Sequence, residues 1–168
     1  EYRGYDSAGI AALQEDGSIA VRRAVGKLFN LSDALIETPL KGHIAMGHTR
    51  WATHGGVTEL NAHPHTSAEG RVAVVHNGII ENFSQLREEL AAQGVTCVSE
   101  TDTEVIAHLV EREMTDGVNL LTAVQRALPQ LKGASAFVFI SVDDPDCLVT
   151  ARLGNAGGIV LGEGDGEM

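Results

Sequence analysis

Gly47-His48-Thr49-Arg50-Trp51-Ala52-Thr53-His54-Gly55-Gly56 is followed by Asn61-Ala62-His63-Pro64-His65 and then by Val74-Val75-His76-Asn77-Gly78. Apolar runs at 44–47 and 72–75 flank this stretch, and each reads as a short buried strand. Between them periodicity is weak, yet residues 50–78 hold Arg50, the only tryptophan and four of the seven histidines. This is the pattern of a loop delivered by two strands, and loops held on a rigid scaffold are where binding and catalytic groups act. A core would want apolar residues here, whereas an anion or amide ligand would want Arg, Thr, Asn and exposed backbone N–H groups.

Working outward, residues 5–13 and 18–25 are β-like runs separated by Gln14-Glu15-Asp16-Gly17, a hairpin signal. Gly26 ends the second run, and Leu28, Leu31, Leu35 and Ile36 predict a helix over 27–36, ending before Pro39. A strand over 44–49 delivers Arg50. After 72–75, the step His76-Asn77-Gly78 predicts a tight turn with Gly78 free to take positive φ. Phe83, Leu86 and Leu90 mark one face of a helix over 83–93, stopped by Gly94. Ser99-Glu100-Thr101-Asp102-Thr103-Glu104 introduces a second over 104–114, and 119–128 forms a third. Strands at 135–142, 147–151 and 158–161 close the chain. Strands first and last with helices grouped between them argue for an α+β fold with antiparallel sheets, in one domain over 1–168.

The net charge of -11 argues against a nucleic acid or an anionic membrane as partner, since either would want a basic face. A small molecule or a protein fits better. No apolar run has membrane-spanning length and none resembles a signal peptide, which makes the cytoplasm the expected location. Cys97 and Cys147 are too few and too far apart for a disulfide framework or a thiolate zinc site, and they read as small buried thiols. The chain opens on Glu1 without an initiator methionine and closes on a turn-rich acidic run, so it is expected to be a fragment.

Several residues have two readings each. Arg50 suits a carboxylate or phosphate, or an ordinary salt bridge to one of the 23 acidic side chains. Trp51 could fill a core or serve as a lid. His54, His63, His65 and His76 invite a zinc reading, but no pair falls at helical i, i+4 spacing, and loop hydrogen bonding is the simpler role; no metal or other cofactor is expected. Asn77-Gly78 pairs a side-chain amide with a flexible backbone N–H, as an oxyanion hole requires, and as a hairpin turn also does. Thr101-x-x-Glu104 fits a capping box, so Asp102 could favour a helix N-terminus or receive an ammonium group. No Ser or Cys stands in a nucleophile-elbow context and no triad is evident, so the residues alone reach an amino-acid or amide-binding site.

Taken with Tyr2-Arg3-Gly4-Tyr5-Asp6-Ser7-Ala8-Gly9, His76-Asn77-Gly78-Ile79-Ile80-Glu81-Asn82 and Ser99-Glu100-Thr101-Asp102-Thr103-Glu104, these motifs resemble the glutaminase domain of the glucosamine-6-phosphate synthases (glutamine:fructose-6-phosphate aminotransferases, isomerising), among the class II glutamine amidotransferases. The amidophosphoribosyltransferases are similar in plan but differ around Tyr2 to Ser7 and at Trp51. The resemblance implies an N-terminal-nucleophile hydrolase-like αββα sandwich, truncated here at its N-terminus. It implies a leading cysteine that attacks the glutamine amide with its own α-amine as base, which removes the need for a triad. Since Glu1 is no nucleophile, the chain itself is expected to be inactive. The resemblance also implies roles. Arg50 would bind the glutamine α-carboxylate and Asp102 the α-ammonium, with Thr53 and His54 in contact with substrate. Trp51 would gate ammonia, His63 would line the site, and Asn77 with the Gly78 N–H would form the oxyanion hole. The implied partners are L-glutamine or L-glutamate and a sugar-isomerase domain of the same enzyme, in a homo-oligomer when full length.

Overall fold

A computed structural model describes residues 5–52, 54–115, 117–162 and 164. The first sheet is built from β1 (Ser7–Leu13), β2 (Ile19–Val25) and β3 (Ala45–Arg50), in the order β2-β1-β3. Both pairings are antiparallel. The expected hairpin joins β1 to β2, with Gly17 at φ 79° and the Asp16 carboxylate accepting from the Ser18 N–H and hydroxyl. The second sheet is β4 (His65–Thr66), β5 (Val72–Ile80), β6 (Gly133–Ser141) and β7 (Leu148–Leu153), antiparallel and in chain order.

The two sheets lie face to face with helices outside. Side chains alternate across a strand, and β5 shows what that does here. Ala73 and Val75 point to the first sheet and join Ala11, Leu13, Met46 and Ile140 in the seam, while Val72 and Val74 point to the helices. A strand buried on both faces reads as an unbroken apolar run, which is why 72–75 looked so. On the outer side of the second sheet pack α2 (Phe83–Ala92), α3 (Glu104–Glu113) and α4 (Leu120–Ala127), with Phe137 and Phe139 beneath them. Each such buried side chain contributes about 1.5–3 kcal/mol. α1 (Leu28–Glu37) covers the first sheet through Leu31 and Leu35, set on Ala8 and Ala24. This is the expected αββα sandwich with antiparallel sheets. Among the described residues no helix is long and apolar enough to cross a membrane.

Local chemistry explains most boundaries. The Asn119 side chain caps α4 by accepting from the Thr122 N–H. At the end of α2, Gly94 takes φ 84° and the Val95 N–H reaches back to the Leu90 carbonyl. Three expectations fail. No strand forms at 158–161, where Val160 is 92% exposed. The predicted α1 face is only partly buried, with Ile36 77% exposed. Asn77-Gly78 is not a turn. β5 runs straight through it to Ile80, in register with β6 from Val72↔Ser141 to Ile80↔Gly133. Gly78 does take positive φ, 138°, and the neighbouring strand passes so close that a Cβ would lie 2.2 Å from the Ala134 carbonyl oxygen.

Gly9 plays a comparable part in β1. A Cβ there would meet the His63 carbonyl oxygen at 2.1 Å, so its missing side chain lets the histidine loop lie on the first sheet. Gly9→Ala is expected to lower the unfolding free energy by roughly 1–3 kcal/mol, as overpacking does. It should move the urea midpoint without changing the slope; an unchanged midpoint would mean that the loop can yield at no cost.

Candidate active site

β3 and β5 come from different sheets and approach one another at one end of the sandwich, and the loop after β3 folds across that end. A cavity of about 170 Å³ opens there, smaller than the roughly 300–1,000 Å³ of drug-sized sites and suited to one small molecule. Arg50, Trp51, His54, His63, Asn77, Gly78 and Asp102 all line it, as do His48, Thr49, His76, Thr101 and Thr103. Thr53 lies outside the described residues. The structure thus brings together every other site residue expected from the sequence. The hydroxyl residues and His48 were missed, although β alternation puts His48 on the same face as Arg50.

Arg50 is only 4% exposed, yet among the described residues it forms no ion pair. Its guanidinium donates instead to the carbonyls of His54 and Gly56. Burial lowers its proton affinity, and the nearby Asp6 and Asp102 carboxylates partly offset that. A buried cation without a bonded counterion favours an anion in the adjoining cavity. The loop it braces is fixed from the far side. Asn61 and Glu100 bond each other twice, and Glu100 also accepts from the Gly56 N–H at 3.0 Å. Asp6 secures the near side, accepting from the Ala52 N–H at 2.7 Å. Trp51 follows Arg50 out of the strand and stands 67% exposed, at the rim rather than in a core.

The edge of β5 supplies the opposite wall. Glu81 N–H bonds the Lys132 carbonyl toward β6, so the even-numbered residues before it turn their N–H groups the other way. His76 N–H meets His63 Nδ1 at 3.4 Å, and Ile80 N–H meets the Asp102 carboxylate at 2.8 Å. Between them the Gly78 N–H faces the same open side. Asn77 holds its amide beside it, with its side-chain oxygen 2.7 Å from His48 Nε2.

Asp102 does not sit in a capping box. Thr103 is the N-cap residue of α3 and makes no side-chain cap bond, and Thr101 Oγ1 turns to Ser99 and His65. Glu104 reaches back past Thr101 to the N–H groups of Val98 and Ser99 and the Ser99 hydroxyl. Burial opposes its ionisation, but bonds from His108, Ser99 and Val98 prevail and hold it at about 2. The loop before α3 is therefore clamped one turn further back than the sequence motif suggests.

The histidines form a hydroxyl-linked chain. Because His63 Nδ1 accepts from a backbone N–H, its Nε2 carries the proton and donates to Thr103 Oγ1 at 3.2 Å. The Thr103 hydroxyl can then donate to His76 Nδ1 at 2.9 Å, and His76 Nε2–H to Ser135 Oγ at 2.9 Å. Rings so engaged are poor metal ligands. One other group, Cys97, Glu104 and His108, has potential ligand atoms within 4.8 Å of one another, outside the cavity. Burial works against charging His108, whereas Cys97 and Glu104 favour the charged ring. Ala68 N–H nevertheless donates to its Nδ1 at 3.1 Å, which favours the neutral ring with Nε2–H toward Glu104. A metal on Nε2 would need the opposite tautomer.

The glutamine amidotransferase domain family matches residues 8–152. The chain is 55% identical over 168 residues to the glutamine–fructose-6-phosphate aminotransferase [isomerizing] of Mesorhizobium japonicum, covering all of this chain and 27% of that protein. It is 52% identical over 167 residues to the same enzyme of Acinetobacter baylyi, covering 99% of this chain and 26% of that one. The chain thus spans about a quarter of the length of these relatives. Among solved structures, it is similar to the glutamine phosphoribosylpyrophosphate amidotransferase of B. subtilis at 30% identity and TM-score 0.64, covering 83% of this chain and 30% of that one. A purine-biosynthesis regulatory enzyme matches with the same coverage at 32% and 0.68.

Burial sets the pH response of this site. It holds His63 well below the usual imidazole range, His76 at about 4 and His65 at about 3. Each ring stays neutral when folded but binds a proton near 6.5 once unfolded. Stability is therefore complete above pH 6.5 and is lost as pH falls toward 4 and then 3, by up to roughly 1.4 kcal/mol per pH unit per ring. Denaturant melts between pH 7 and 4.5 should show this loss, and His65→Gln should make it shallower; an unaltered slope would mean that His65 is not held neutral.

Proposed function

Because this chain belongs to the glutamine amidotransferase domain family, we propose that it is the ammonia-producing unit of a longer glutamine–fructose-6-phosphate aminotransferase, joined to a sugar-isomerase domain in a cytoplasmic homo-oligomer. Identities of 52–55% to that enzyme support this over an amidophosphoribosyltransferase, where the likeness is 30%. The observation that carries it is the charge layout of the cavity, a buried arginine that forms no ion pair among the described residues on one wall and a buried carboxylate on the other.

An α-amino acid needs that pair. Its carboxylate would bind the Arg50 fork and its ammonium Asp102, beside the loop carrying Thr53 and His54. The side-chain amide would then lie along β5. A thiolate adding to its carbonyl carbon pushes negative charge onto oxygen, where the Asn77 amide and the Gly78 N–H can receive it. Ammonia leaves with the thiol proton, passed by the α-amine of the same cysteine, and water releases glutamate from the thioester. Cys97 and Cys147 do not line the cavity, so the thiol would come from the leading cysteine that the family resemblance implies. Trp51, exposed at the rim, would gate the ammonia, and His63 would brace the loop.

In the parent enzyme with that cysteine, Asn77→Ala is expected to lower kcat for glutamine hydrolysis by about 10² to 10³ with little change in KM. Asp102→Asn keeps an acceptor for the Ile80 N–H but removes the charge, so its loss should fall mainly on KM, with a smaller loss in kcat. Arg50→Ala should abolish the calorimetric heat of L-glutamate binding to the chain. An Asn77→Ala enzyme of full activity and lower melting temperature would reduce Asn77 to a structural residue; equal heats for Arg50→Ala and wild type would remove the carboxylate site.

A further inference from the structure

A side-chain amide can face an oxyanion either way round. With its NH2 toward the cavity Asn77 stabilises negative charge, and with its oxygen there it repels it. Nothing in the Asn77 backbone decides between the two. The neighbour that can is His48, which comes from the other sheet. It stands in β3 opposite Gly9 of β1, and its Nε2 lies 2.7 Å from Asn77 Oδ1.

The tautomer follows from the remaining nitrogen. His48 Nδ1 is buried and has no hydrogen-bond partner among the described residues. A neutral ring protonated there would bury an unpaired N–H, whereas a bare lone pair is the milder loss. Nε2 therefore carries the hydrogen and donates to the Asn77 oxygen, which turns the NH2 toward the cavity. The ring is held in place by stacking on His63, with centroids 4.3 Å apart and planes inclined by 25°. Burial, more than the Arg50 charge, keeps His48 neutral, and its bond to Asn77 only partly offsets this.

We infer that His48 is a positioning residue for the reaction, fixing the rotamer of the Asn77 amide through an Nε2–H bond that crosses between the sheets. It need not touch substrate. This rests on the glutaminase reading above, and the experiment separates the two.

In the parent enzyme, His48→Phe keeps the ring stack but removes the donor, and it should lower kcat by roughly tenfold, the usual worth of one such bond, with KM nearly unchanged. His48→Gln carries an amide N–H to about the same place and should recover most of the loss. The double variant His48→Phe/Asn77→Ala should be no slower than Asn77→Ala alone, because there is no longer an amide to orient. Effects that multiply in the double variant, or a His48→Gln enzyme as slow as His48→Phe, would overturn the inference. A fully active Asn77→Ala would overturn it as well, since there would be no oxyanion amide to orient, whereas absence of glutamine hydrolysis in the wild type would instead overturn the glutaminase reading. Independently of turnover, ¹⁵N spectra of the imidazoles in the chain should give His48 as the Nε2–H tautomer near neutral pH, and an Nδ1–H tautomer would refute the assignment.

Discussion

Beyond Val74 the β5 strand has a neighbour on one side only, since β4 pairs with Ala73 and Val74 and then stops. Its backbone continues inward with N–H groups that must each find an acceptor. His63 takes the one at His76 and Asp102 the one at Ile80. These two bonds hold the histidine loop and the loop before α3 against the same edge, and the Gly78 N–H remains between them. The cavity is the gap between side chains that substitute for a missing strand.

The same economy applies to charge. A guanidinium as buried as that of Arg50 would ordinarily take a carboxylate into its shell, and here carbonyl oxygens of its own loop hold it. Carbonyls orient the fork without neutralising it. The carboxylates in the region have other duties: Asp6 takes the Ala52 N–H, Glu100 the Gly56 N–H, and Asp102 the Ile80 N–H. The positive charge is left for whatever enters, in a place where low dielectric strengthens each interaction.

The fold class was legible because alternation and turn chemistry are local. Val72 to Val75, the Asp16-Gly17 hairpin and the stop at Gly94 each declare themselves within a few residues. The candidate site was legible as a set of side chains, since Arg, Asn, Asp and His have no business in an apolar seam. What the sequence hid was pairing. Asn77-Gly78 has the composition of a turn, and only the passage of β6, with the Ala134 carbonyl against Gly78, makes it continuous strand. Likewise Thr101 to Glu104 fits a capping motif until Ser99 and Val98, brought near by the loop, claim the glutamate. His48 was passed over because nothing near it in sequence says that Asn77, 29 residues away, will stand before it.

The bond between His48 and Asn77 spans the seam of the sandwich, from a strand of one sheet to a strand of the other. Neither sheet alone can present the cavity, and the partners on its walls lie far apart along the chain. Closing such long loops is slow and is rewarded only at the end of folding. Occupancy of this cavity is thus a readout of completed assembly: a chain with both sheets formed but not yet docked would have its full complement of strands and no cavity for a ligand to enter. A ligand that binds only the docked form would also stabilise it by mass action, so the supply of that ligand would bear on how long the two sheets stay together.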